Sequence, residues 1–195
     1  GDEPAAALVF KTIADPYVGK INYIKVEQGD FAGEKQYANI TNDSNERVGQ
    51  LFTLQGKEQI KLPSLSYGDI GAVAKLSNTT TNDTLAAPGV TEQLTKIDFP
   101  EPTLAIAIQP KTKLDEDKLG NALTRILDED PTLRLENNTE TRQTLLTVMG
   151  ETHSEIIIEK LKNKFGVEVL TIETKIPYRE TIRGSATGVD AKHKK

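Results

Sequence analysis

Cysteine is absent from the 195-residue chain, which excludes a disulfide framework and thiolate chemistry and fits a reducing, cytoplasmic setting. Histidine is nearly absent, with only His153 and His193 present. A zinc site usually needs three or four His, Cys or carboxylate ligands, so a catalytic zinc centred on His153 is disfavoured. No apolar run approaches the roughly 20 residues that span a bilayer. The start, GDEPAAALVF, lacks the basic residues and long apolar centre of a secretory leader. No membrane partner is expected. The phosphate loop GxxxxGK[ST] is missing, as are GxGxxG and GxSxG. Excess positive charge is lacking too. A formal net charge of −5 argues against a field-driven nucleic-acid binder, while leaving room for a small basic face on an acidic body.

What remains is a globular composition, 36% hydrophobic and 27% charged, on a chain long enough for two domains. Residues 4–92 read as short strands separated by turn signals. LVFKTIA precedes Asp15-Pro16, and GKINYIKVE precedes Gln28-Gly29-Asp30. EKQYANI, RVGQLFTL, EQIKLPSL and IGAVAKL follow, each bounded by Gly, Asp or a polar run. In KINYIKV, strand alternation sends Ile21, Tyr23 and Lys25 one way and Asn22, Ile24 and Val26 the other. Regular short strands of this kind predict a sandwich or a closed barrel, with no helix. The prolines of Phe99-Pro100-Glu101-Pro102 stiffen an extended link, placing a domain boundary near residues 91–98.

Residues 99–176 read strand, helix, strand, strand, helix, strand. TLAIAIQP opens the block. Thr112-Lys113-Leu114-Asp115 has the form of a capping box. The helix that follows carries Leu119, Ala122, Leu123, Ile126 and Leu127 at helical spacing and stops before Pro131. A hairpin over 132–136 and 143–148 is expected to turn at Asn137-Asn138. A second helix carries Ile157, Ile158, Leu161 and Phe165 and ends at Gly166. Residues 167–174 form the last strand. This order predicts an α+β ferredoxin-like (βαββαβ) domain. Residues 177–195 lack a core-forming pattern and read as a flexible tail.

Two groups in this block carry charge that chemistry uses. Glu151, His153 and Glu155 open the second helix, where a carboxylate is favoured by the helix dipole. A general base needs a nucleophile and an orienting partner, and neither is evident, so a capping or surface role is favoured. Asp128-Glu129-Asp130 closes the first helix, where negative charge is mildly unfavourable. A solvated, charged end is the expectation there. Arg125, Arg134 and Arg142 flank the cluster and are available for pairing with it or for phosphate contact.

Longer strings carry a family resemblance. FPEPTLAIAIQPKTKLDEDKLGNALTRILDEDPTLRL (99–135), MGETHSEI (149–156) and IPYRETI (176–182) closely resemble the third domain of bacterial elongation factor G and its boundary with the fourth. YGDIGAV (67–73), DTL (83–85) and the opening ALVFKTIADPYVGKINYIKVEQG resemble its second domain. The resemblance implies an all-β Greek-key translation-factor barrel over 4–92, a ferredoxin-like third domain over 99–176, and the start of a fourth domain at 177–195. It also implies an excised, non-catalytic part of a translational GTPase. On this view GTP with magnesium belongs to a GTP-binding domain preceding the barrel, and this part holds no cofactor or metal. The implied partner is the ribosome, through small-subunit RNA and protein near the decoding region. Arg47, Lys57, Arg134 and Arg142 are the candidate RNA contacts, chosen as Arg and Lys on exposed loops. Glu151 and His153 are expected to position domains, and Arg179 and Arg183 to orient the next one. Thr152 and Ser154 stand where the family has leucines, which points to an elongation factor G-like paralogue. An alternative is a ribosome-protection or regulatory paralogue that binds without translocating.

Overall fold

The structure is a computed structural model, and it describes residues 3–176. Arg179, Arg183 and the expected tail lie outside the described residues. Ten strands come first, without a helix: β1 Ala6–Asp15, β2 Gly19–Gln28, β3 Phe31–Ala32, β4 Lys35–Asn39 and β5 Ser44–Val48, then β6 Leu51–Gln55, β7 Glu58–Leu62, β8 Ser64–Leu65, β9 Ile70–Ala74 and β10 Thr84–Ala86. Eight of them form one antiparallel sheet in the order β5-β4-β10-β1-β2-β9-β6-β7, and β3 pairs with β8 separately. The neighbours β4–β10, β10–β1, β2–β9 and β9–β6 are far apart in sequence, which is the crossing connectivity of a Greek key. Tyr37 and Val48 from one end of the sheet and Leu51 from the other meet Val9, Ile24, Val26, Phe31, Val73 and Leu85 in a single buried cluster. The sheet is therefore curled around its own core. Its end strands do not pair with each other, and closure rests on the β3–β8 pair and on bonds such as Gly33 N to Pro63 O (3.0 Å).

The alternation in β2 is only half of its burial. Asn22, Ile24 and Val26 face inward, yet Ile21 on the opposite face is also buried, in a second small cluster with Phe52 and Ala72. EQIKLPSL is two strands, broken at Pro63, which has no N–H for a ladder. β10 carries no strand signal in the sequence. Its three residues, Thr84, Leu85 and Ala86, are fully buried between β1 and β4 and show no alternation to detect.

The second half contains β11 Leu104–Pro110, α1 Lys113–Glu129, β12 Arg134–Asn138, β13 Gln143–Val148, α2 Glu151–Phe165 and β14 Val169–Ile172. The sheet order is β12-β13-β11-β14. Ile108, Leu146 and Val148 pack against Leu119, Leu123 and Ile126 of α1 and Ile157 and Leu161 of α2. This is the expected βαββαβ layer pair, with both helices on one face. Thr112 caps α1 as the capping box predicts, its hydroxyl and backbone N–H both bonded with Asp115. Gly166 ends α2 at φ 65°, a left-handed conformation that costs a glycine little.

Some boundaries in this half differ from the sequence reading. Asn137 and Asn138 are the last residues of β12, paired with Thr144 and Gln143, so they do not form the turn. The Asn138 side chain accepts from the N–H groups of Glu140 and Thr141, at 3.0 and 3.1 Å. That local bonding carries the turn over 139–142, with Arg142 at φ 55°. β14 is also shorter than expected, ending at Ile172.

Candidate interdomain joint and ribosome-facing residues

Three structural groups bear on function: a joint between the two halves, a histidine lock inside the second, and scattered basic side chains.

The joint forms where the β1–β2 hairpin tip meets the C-terminal ends of α1 and α2. Glu129 closes α1, and its side chain is only 8% exposed. Its Oε1 accepts the backbone N–H of Ala14 in β1 at 2.9 Å and also the ammonium of Lys164 in α2. Lys160 lies 4.0 Å from Oε2. One turn earlier, Arg125 donates to the Asp15 carbonyl at 3.1 Å and lies 5.0 Å above the Phe165 ring. The tip itself is stiffened by Asp15, whose Oδ1 accepts the N–H groups of Tyr17 (2.8 Å) and Val18 (2.7 Å). Those Val18 and Tyr17 bonds favour the carboxylate and hold its pKa below the usual range. Beside the joint, Pro16, Tyr17, Ile156 and Lys160 line an open cleft of about 550 Å³.

The solvated end expected for Asp128-Glu129-Asp130 is thus corrected for two of its members. Glu129 sits at a helix C-terminus, where the dipole disfavours it, and it is kept there by two lysines and a backbone donor from the other domain. Asp130 is also engaged. Its Oδ1 takes the Thr132 hydroxyl (2.6 Å) and N–H (2.9 Å), and its Oδ2 lies 2.7 Å from His153 Nε2. Burial pushes the Asp130 pKa up, but the bonds from Thr132 and His153 outweigh it, and the net direction is down.

His153 links three segments. Met149 N–H donates to Nδ1 at 2.9 Å, so the imidazole hydrogen resides on Nε2 and is directed at Asp130. No ring nitrogen is left to act as a base. Glu151 is exposed, and neither hydrogen bond of the His153 ring goes to it. The pair is not brought together as a reactive centre. His153 ties the start of α2 to the end of α1 within one domain.

The basic candidates are spread out. Arg47 on β5 and Lys57 at the β6–β7 turn are exposed. Arg47 lines a cleft of about 430 Å³ with Lys61, Lys75, Gln50, Gln59 and Phe52. Sequence reasoning missed Lys61 and Lys75 there. Lys61 reaches the cleft because it registers with Phe52 across β6–β7, information that only the hairpin pairing supplies. Arg142 is exposed on the 139–142 turn. Arg134, at the far end of the same hairpin, is already engaged: it donates to the Pro131 and Leu133 carbonyls at 2.8 and 3.0 Å and lies 3.4 Å from Glu101. Among the described residues, no group of three or more His, Cys, Asp or Glu is placed to hold a metal ion.

A curled β-barrel stapled by its hairpin tip to a two-helix, four-strand sandwich defines a pair of modules of the translation-factor type. Residues 4–87 match elongation factor G domain 2, and residues 99–173 match elongation factor G domain III. The chain belongs to the elongation factor G family and carries these two domains in that order. It is also similar to a crystal structure of a Thermus thermophilus protein, with a TM-score of 0.79 and 30% identity. That match covers 90% of this chain and 26% of the other, so the chain spans about a quarter of that protein's length. Among the described residues, no helix is long and apolar enough to cross a membrane.

Proposed function

We propose that this chain is the ribosome-docking and motion-coupling portion of an elongation factor G-like translational GTPase. GTP and magnesium are held by a separate GTP-binding domain, and the barrel and sandwich pass the state of that domain toward the decoding region of the small subunit. The observation that carries the coupling is Glu129. A nearly buried carboxylate in one domain accepts a backbone N–H from the other, at a helix end where its charge is unfavourable. Helix stability does not account for it, whereas a fixed angle between modules does. Docking rests on Arg47, Lys57 and Arg142, which are exposed, with Arg134, exposed as well, contributing less because its guanidinium is already bonded.

Filter binding of the parent protein to ribosomes at two salt concentrations tests the docking. Each lost phosphate contact flattens the salt dependence by nearly one logarithmic unit of slope. Alanine at all four basic positions is expected to weaken binding and flatten the slope. Unchanged affinity and slope would remove these residues from the interface. A second reading, a ribosome-protection or regulatory paralogue that binds without translocating, draws support from the polar start of α2. Thr152 is exposed and the Ser154 hydroxyl bonds back to the Glu151 carbonyl at 2.7 Å, where the family resemblance leads one to expect leucines. An intact phosphate loop with its lysine in the upstream sequence favours the GTPase, and a degenerate one favours the regulator.

A further inference from the structure

The joint describes how the sandwich is held to the barrel before it. The opposite end, where the chain leaves the sandwich, contains a polar side chain that neither docking nor the joint uses. Gln143 opens β13 and is 5% exposed. It belongs to the helix-free face of the sheet, since Leu146 and Val148 on the same strand face the helices. Both ends of its amide are bonded to the backbone that follows β14. Nε2 donates to the Glu173 carbonyl at 2.8 Å, and Oε1 accepts the Lys175 N–H at 2.9 Å.

The spacing of those partners is informative. A carbonyl at 173 and an N–H at 175 are what an adjacent β-strand would engage, so the Gln143 amide substitutes for a strand edge. β13 and β14 lie on either side of β11. The Gln143 side chain and the backbone after Ile172 therefore meet across β11. Ala107, on the helix-free face of β11 and paired with both Leu145 and Ile172, is 0% exposed. A methyl side chain there leaves room for that contact. Ile176, the residue after the second bond, is 71% exposed.

We propose that Gln143 is a positioning residue that clamps residues 173–175 across the helix-free face of the sandwich and so sets the direction in which the chain enters the next domain. The inference deepens the coupling reading: movement passed through the sandwich goes onward only if its exit is held. In elongation factor G terms, the clamp determines whether the following domain moves with the sandwich or swivels on it. Deleting the amide loses one donor and one acceptor to the backbone of a segment with no other ladder.

Backbone amide exchange of this chain by NMR reads the clamp directly. The Lys175 N–H is expected to be protected in the native chain. In Gln143→Leu it exchanges at least tenfold faster, with Leu161 in α2 unchanged. Gln143→Glu keeps the acceptor for Lys175 and restores its protection, which covers the case in which the leucine variant folds poorly. The absence of cysteine permits a second readout. Spin labels at Gly120→Cys, where a Cβ meets nothing within 4 Å, and at exposed Ile176→Cys give a narrow distance distribution that broadens in Gln143→Leu. A Lys175 amide that exchanges freely in the native chain, or an unchanged distribution in the leucine variant, overturns the proposal. Neither outcome bears on ribosome binding, and failure of ribosome binding leaves the clamp standing.

Discussion

His153 illustrates how much a single side chain does once both ring nitrogens are committed. Replacing it with alanine opens the exposed Met149 N–H to water and leaves the half-buried Asp130 Oδ2 without its partner. Unsatisfied groups of this kind cost about 1–3 kcal/mol. Urea unfolding of His153→Ala is expected to show a loss in that range, whereas Glu151→Ala, an exposed change, stays within about 0.5 kcal/mol. The reverse order would return Glu151 to the centre of the site. Asp130 adds a pH signature. Its folded pKa is depressed, so the stability it contributes is present above its unfolded value, near 4, and is lost as pH falls through the lower folded value. Urea midpoints compared at pH 6 and pH 3 should converge between the native chain and Asp130→Asn at the acid end. A gap that persists undiminished at pH 3 would mean that the ionised carboxylate is not what stabilises.

At the scale of the element, local bonding is what the sequence makes legible. The capping box at Thr112 and the glycine stop at 166 are readable because each depends on residues within three or four positions. The Asn137-Asn138 dipeptide suggests a two-residue turn, whereas the Asn138 side chain ends the strand and organises the next three residues. β10 has no readable period, since all three of its residues are buried. The cap of α1 also has a component that sequence spacing cannot supply: Asp115 Oδ1 accepts the Glu168 N–H at 2.9 Å, tying the helix start to the residue before β14. Thr112→Ala is therefore expected to lower stability by about 1 kcal/mol, the usual value of an N-cap. Asp115→Ala is expected to lower it more, because the loss includes a tertiary bond. Equal losses by chemical denaturation would show that the Glu168 contact contributes nothing beyond the cap. Of the candidate site, the exposed cations Lys57 and Arg142 are legible from loop position, whereas Arg47 stands on β5. Lys61 and Lys75 are not legible, because strand register places them.

The joint belongs to the whole molecule and is invisible in the sequence, since Ala14 and Glu129 are 115 positions apart. DEDP has the look of a solvated acidic end for a sound local reason: helix C-termini disfavour acids. Only the approach of the β1–β2 tip gives Glu129 a backbone donor, and only α2 gives it Lys164 and Lys160. This makes a specific expectation about cooperativity. Two domains with separate cores unfold as one unit only when contacts between them are worth enough to couple the transitions. Glu129→Ala removes the acceptor for Ala14 and leaves Lys164 without its carboxylate, while touching neither buried cluster. Scanning calorimetry of the native chain is expected to give one transition, and Glu129→Ala two, with the barrel and sandwich separating. Arg125→Ala, which loses the Asp15 carbonyl bond and the Phe165 stacking but keeps Glu129, should give a broadened single transition. If the Glu129 variant unfolds in one sharp step at a lower temperature, the carboxylate stabilises a domain and does not join two, and motion must pass between barrel and sandwich by some other contact.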